Sequence, residues 1–211
     1  DGHYGQLNLP DLFEPECWAC EKDAQGNIVT VTVDEDVTID FNTVLKHGDA
    51  PTCDDGSTSD LCDYFAYDTP ADTFGIGPWH NINEAWKWRA IFDLDGKKLV
   101  VKDNVLITIV RYYYGKSPTS DDPSPGIEIK ACEMLVEGDV DGNGKPGTIL
   151  IQSHNDLAGN ILIHTVRDAV INGTVRNAVS GTGGRPGKIT IASCYGDIIT
   201  GNKSRIETIG Q

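Results

Sequence analysis

The sequence predicts an all-β protein, a solenoid of stacked parallel coils with a disulfide-pinned β cap on its N-terminal side. Two observations carry that prediction. Short runs of alternating, β-branched residues dominate the chain, while a helical period is confined to a short turn near Leu12–Glu21 or Ile82–Trp88. From Gly126 onward the text also repeats: GIEIKA starts at Gly126, GTILIQS at Gly147 and GKITIAS at Gly187, with AVINGTV (169–175) midway between the last two. Spacings of 21 and 40 residues (126 to 147, 147 to 187) point to a coil of about 20 residues. A β-sandwich is the competing architecture, and it would make the recurrence accidental.

The elements follow in order. IVTVTVDEDVTIDF, from Ile28, alternates strictly and breaks at Asp34–Asp36, so it predicts a strand, a tight turn and a second strand. Residues 47–81 hold too much Gly, Pro, Asp and Ser for regular structure and predict a long loop. Strands resume in AWKWRAIFDLDG, KLVV and NVLITIVRYYY, a second loop covers 115–126, and the repeats follow with MLVEG, NILIHT, DIIT and RIETI between them. On each strand alternate residues, such as Ile149 and Ile151 or Ile189 and Ile191, are expected to point inward and stack on equivalents one coil away. Gly, Asn and Asp take the corners. The predicted division is an acidic, loop-rich cap over 1–82 and a coil region over 83–211, read as the start of a longer solenoid.

VINGTVRNAVSGTGGRPGKITIASCYGDIITGNKSRIETIG resembles the coils of right-handed parallel β-helix proteins, in particular filamentous-haemagglutinin-like surface proteins and secreted pectin-lyase-like folds. IFDLDGKKLVVKDN (91–104) resembles a first coil of such domains, so the resemblance spans about 90–211. It implies a right-handed parallel β-helix and a cap over the first coil, for which IVTVTVDEDVTIDF and the disulfide loops are the natural material. It also implies a secreted or cell-surface protein, an adhesin or scaffold that binds polysaccharide or a cell-surface glycan. Polysaccharide-active enzymes of the fold use Asp clusters, calcium and an Arg or Lys base. Here Asp121, Asp122, Asp156, Asp168, His154 and His164 are available, but the catalytic motifs of those enzymes are absent. His164 is expected to be turn-adjacent or exposed.

Charge and cysteine usage agree with an extracellular reading. The formal net charge is −15. Residues 1–75 carry all of it, with 17 Asp and Glu against Lys22 and Lys46. Such a front repels nucleic acid and anionic lipid. No stretch of about 18 apolar residues spans a membrane. DGHYGQLNLP lacks a signal peptide's basic and apolar regions, so for an exported chain the signal is expected to have been removed. Of six cysteines, Cys17, Cys20, Cys53 and Cys62 crowd into the first third and predict two disulfides, Cys53–Cys62 being one of several pairings. A zinc site on Cys17-x2-Cys20 is the rival. Cys132 and Cys194 occupy nearly one station about three coils apart, too distant to bond each other, and are expected as buried free thiols.

Two candidate sites stand out. GDVDGNGKPG (138–147) places Asp139, Asp141 and Asn143 at the spacing of a calcium loop's first oxygens, although Leu150 stands where a bidentate Glu belongs. Trp79, Trp86, Trp88, Tyr112 and Tyr114 supply rings on which sugar C–H faces could stack, or which fill the junction of cap and first coil. Two glycosylation sequons begin at Asn172 and Asn202. The last strands predict an open C-terminal edge, a template for self-association or filament growth.

Overall fold

The computed structural model describes residues 17–41, 50–56, 58–68, 87–110, 124–154 and 157–210. Sixteen strands lie among them: β1 (Thr30–Val33), β2 (Val37–Asp40), β3 (Thr52–Asp54), β4 (Phe65–Asp68), β5 (Arg89–Asp93), β6 (Lys98–Val101), β7 (Leu106–Val110), β8 (Gly126–Ala131), β9 (Met134–Val136), β10 (Thr148–His154), β11 (Ile161–Thr165), β12 (Ala169–Ile171), β13 (Thr174–Ser180), β14 (Ile189–Ser193), β15 (Ile198–Thr200) and β16 (Arg205–Ile209). They form three sheets, ordered β1-β6-β9-β12-β15, β16-β13-β10-β7-β2-β3 and β14-β11-β8-β5-β4. From β5 onward the chain visits the third, first and second sheets in turn, four times over. Each strand pairs in parallel with its counterpart in the next triplet. The all-β class and its parallel pairing are therefore as expected.

The alternation in the sequence becomes columns of buried side chains. Phe92, Ile129, Ile163 and Ile191 are register partners on the third sheet, and Ile107, Ile149, Val175 and Ile206 on the second. Val33, Val101, Val136, Ile171 and Thr200 line up on the first. In each column the members before the last strand are at most 1% exposed. Each large one contributes about 1.5–3 kcal/mol by leaving water. Glycine is required where the backbones of successive levels nearly touch. A Cβ on Gly159 would collide with the backbone of Gly126, and one on Gly187 with the carbonyl of Gly159.

Three expectations need correction. The advance between register partners is longer than about 20 residues: Ile127 pairs with Ile161 and Ile161 with Ile189, advances of 34 and 28 residues (127 to 161, 161 to 189). GIEIKA and GKITIAS lie on the third sheet but GTILIQS on the second. The recurring phrase marks one face after a corner, because every corner asks for the same glycine and every face for the same alternation. Second, IVTVTVDEDVTIDF is no cap. Its strands β1 and β2 pair in parallel with β6 and β7, so the parallel region begins upstream of the boundary expected at 82/83. Antiparallel β3 and β4 cover β2 and β5 instead, joined through a 3-10 turn at Leu61–Tyr64. Of the helical turn expected at Leu12–Glu21 or Ile82–Trp88, the described part Cys17–Glu21 is not helical, Lys87 lies in a 3-10 turn, and 12–16 and 82–86 lie outside the described residues.

The third correction concerns sulfur. All six cysteines are paired, as Cys17–Cys194, Cys20–Cys132 and Cys53–Cys62, with Cα–Cα distances of 5.9, 5.3 and 5.6 Å. Cys132 and Cys194 follow the partners Ala131, Thr165 and Ser193, so they share a column two levels apart with Val166 between them. Two strand spacings come to about 9.5 Å, and three residues of extended chain reach about 10 Å. Cys17-x2-Cys20 therefore has the reach to lie along the stacking direction as a strap. The strap then joins the body: Glu21 N–H donates to the Gly96 carbonyl (3.0 Å), and its carboxylate pairs with Lys97.

At the far end β14, β15 and β16 are the edges of their sheets. Ile198, Ile199 and Ile206 are 48%, 44% and 40% exposed there, and Tyr195 80%. Among the described residues no helix is long and apolar enough to cross a membrane.

Candidate functional site

The outward positions of the second sheet form a cleft. Along β10, β13 and β16 the residues that line it are Thr148, Leu150, Thr174, Arg176, Arg205 and Glu207. Register sets Thr148, Thr174 and Arg205 in one row, and Leu150, Arg176 and Glu207 in the next. With Asp139, Asn172, Asn202 and Lys203 they line a cleft of about 660 Å³, within the range of ligand sites. Arg176 Nε lies 3.4 Å from Glu207 Oε1. The side chains of Lys203 and Arg205 form no ion pair among the described residues, so their donors face the cleft uncommitted. The outward charges of TVRNAVS and RIETI were visible in the sequence, but their convergence depends on a register that spacing did not reveal.

The loop between β9 and β10 borders this cleft. Asp139 Oδ2 accepts the Gly144 N–H (3.0 Å), and Asn143 Oδ1 accepts that of Lys145 (2.9 Å). Asn143 Nδ2 donates to Asn104 Oδ1 (2.8 Å), and Asp141 N–H to Asp103 Oδ2 (3.3 Å), which docks the loop on the preceding level. Gly142 and Gly144 have φ of 71° and 81°, a left-handed backbone that suits glycine. Asp139 Oδ1 is buried with no hydrogen-bond partner. Among the described residues no three His, Cys, Asp or Glu side chains are grouped to hold a metal ion.

The aromatic candidates do not gather here. Trp88 is fully buried, its ring centroid 6.2 Å from that of Phe41, so it fills the capped end and offers a sugar no face. Trp79, Trp86, Tyr112 and Tyr114 lie outside the described residues, as do Asp121, Asp122 and Asp156. His154 lies at the end of β10.

A charged cluster that sequence reasoning missed sits on the outer positions of the third sheet. Glu128 accepts from Arg89 (2.8 Å), which also pairs with Asp68 (2.8 Å), and Lys130 lies 3.8 Å from Glu128. Of the two expectations for His164, it is turn-adjacent, next to last on β11, and it is not exposed. It is 4% exposed, with Nε2 3.9 Å from Glu128 Oε1. Asp168 accepts the Asp197 N–H (2.9 Å) and so fixes a corner. The enzyme candidates that can be placed, Asp168 and His164, are thus held in separate structural contacts.

Comparison with known proteins gives no anchor beyond this geometry: no family model matches the chain, and no curated protein or solved structure matches it significantly.

Proposed function

We propose that this chain is a right-handed parallel β-helix acting outside the cell as an adhesin or scaffold, and that it holds polysaccharide along the cleft of the second sheet. The cyclic order of the three sheets supports the β-helix reading, and parallel crossover connections are right-handed in about 98% of cases. Three disulfides support an oxidising, extracellular setting. The observation that carries the binding reading is the cleft itself. It crosses three strands of a rigid sheet and presents hydroxyl, amide, guanidinium and carboxylate groups together, the mixture needed to hydrogen-bond a chain of sugar hydroxyls.

The test is retention on a panel of immobilised polysaccharides. At least one should retain the protein, and Arg176→Ala with Arg205→Ala should cut retention about tenfold, the size expected for losing hydrogen bonds from charged donors. Unchanged retention in that variant, or none on any polysaccharide, removes the reading. A polysaccharide-active enzyme is the second reading, favoured by Asp139 and Glu207 lining the same cleft. Release of reducing ends or unsaturated products from a retained polysaccharide decides it. The reading includes a calcium ion at Asp139, Asp141 and Asn143, supported by the partnerless Asp139 Oδ1. Calcium titration of chelator-washed protein tests it, and the absence of heat removes it.

A further inference from the structure

We propose that the Cys17–Cys194 disulfide is a thiol-cleavable clasp, whose reduction lets the last level, β14 to β16, come away and so takes the cleft of the second sheet apart. The proposal rests on the cleft reading, because it names what regulates that same site. Cys194 directly follows β14, so the bond fastens the strap to the last level. That level also supplies part of the cleft lining: Asn202, Lys203 and Ser204 in the turn before β16, with Arg205 and Glu207 on β16 itself.

The last level is the least firmly held. Among the described residues each of its strands has a neighbour on one side only. Its links to the level below include the Cys194 N–H to the Thr165 carbonyl (2.9 Å), that of Tyr195 to Val166 (2.9 Å) and that of Arg205 to Gly173 (3.0 Å). On β11 and β13 the inward residues are buried, whereas β14 is half-buried throughout, β15 is exposed throughout, and β16 is exposed at Arg205, Ile206 and Thr208. Segments with few buried contacts open locally at the lowest cost, so a covalent tie adds most here.

The three disulfides differ in access and in how readily they reclose. Cys17 is exposed and Cys132 is fully buried, so a thiolate reaches the outer bond of the strap before the inner one. Reclosure depends on how close the opened partners stay. Cys20 adjoins Glu21, whose N–H and carbonyl bond Gly96 and Val29 and whose carboxylate pairs with Lys97, which keeps an opened Cys20 beside Cys132. Cys53 and Cys62 are 9 residues apart, and Asp55 Oδ2 accepts the Cys62 N–H (2.7 Å), which holds their loop together. Cys17 and Cys194 are 177 residues apart and meet only while the last level is docked. The reductant is a small dithiol. Its thiolate attacks Cys17 Sγ, the S–S bond breaks, and Cys194 leaves as a thiolate that takes a proton from water. The reagent's second thiolate then displaces Cys17, which is protonated in turn, and closes the reagent's own disulfide; two electrons pass from dithiol to cystine.

The experiment is graded reduction of the oxidised full chain with dithiothreitol, followed by alkylation and peptide mass mapping. Cys17 and Cys194 should be labelled at about tenfold less reagent than the other four cysteines. In the form with two thiols, amide hydrogen exchange over 189–209 should rise at least about tenfold while that over 127–136 and 148–151 is unchanged. Retention on a polysaccharide that holds the oxidised protein should fall about tenfold and return on reoxidation. Cys17→Ser with Cys194→Ser should show the same exchange and weak retention without reductant; the wild-type measurements decide the matter even where that variant fails to fold. Labelling that begins at Cys20, Cys53, Cys62 or Cys132, a two-thiol form still protected over 189–209, or one retained as well as the oxidised protein overturns the proposal. Oxidised protein that no polysaccharide retains removes the cleft reading, and labelling and exchange then decide the clasp by themselves.

Discussion

Gly187 has no side chain because the carbonyl of Gly159 occupies the place of its Cβ. Gly187→Ala should therefore cost about 1–3 kcal/mol, seen as a lower urea midpoint with unchanged slope. Ile129 lies midway in its column between Phe92 and Ile163, fully buried. Ile129→Ala should cost about 2–5 kcal/mol in the same measurement. Asn177 breaks an apolar column: its Nδ2 donates to the Gly159 carbonyl (2.7 Å), and its Oδ1 is buried with no partner. At this scale the sequence was readable wherever alternation decided the outcome, and Ile149 and Ile151 are buried as expected. It misled where the other side of the sheet was also covered. His164 alternates as an outward residue should, yet it is buried beside Glu128, and no period-two pattern distinguishes an outward position that is covered from one that is wet.

The strap is the element whose role could be least foreseen. The pairing of Cys17 and Cys20 depends on the distance between stacked levels, and the sequence has to be folded before that distance exists. Alkylation without reduction should label no cysteine, as read by mass spectrometry. Replacing Cys17 and Cys194 by Ser opens a loop of sequence separation 177 and should lower stability by about 2–5 kcal/mol. Lys97 fastens the same segment. Its ammonium is held above the ordinary lysine value of 10.5, first by the hydrogen bond it donates to Glu21 and also by the nearby Tyr64 and Asp95. It lies 5.2 Å from the centre of the Tyr64 ring. Because its pKa is raised on folding, the stability it contributes is fully present below 10.5 and is lost as pH climbs through the higher folded value. Thermal melts between pH 9 and 12 should show that loss, and Lys97→Met should reduce it. The corners were legible as Gly, Asn and Asp, but which face each began was not, since all faces share one local grammar.

At the scale of the molecule, charge and edges act against each other. A net charge of −15 keeps copies apart. The edge strands β14, β15 and β16, with Ile198, Ile199 and Ile206 partly exposed, offer a surface for pairing. Sedimentation at rising salt should reveal association that Ile198→Lys with Ile206→Lys suppresses; a monomer under all conditions would exclude self-pairing through this edge. The covalent map also decides how the molecule bears tension. A pull that enters the chain before Cys17 and leaves it after Cys194 runs straight through their disulfide, so the chain between them carries none of the load. Stretched while oxidised, the protein should lengthen only by what lies outside that bond; once reduced, it should pay out its levels from the exposed end.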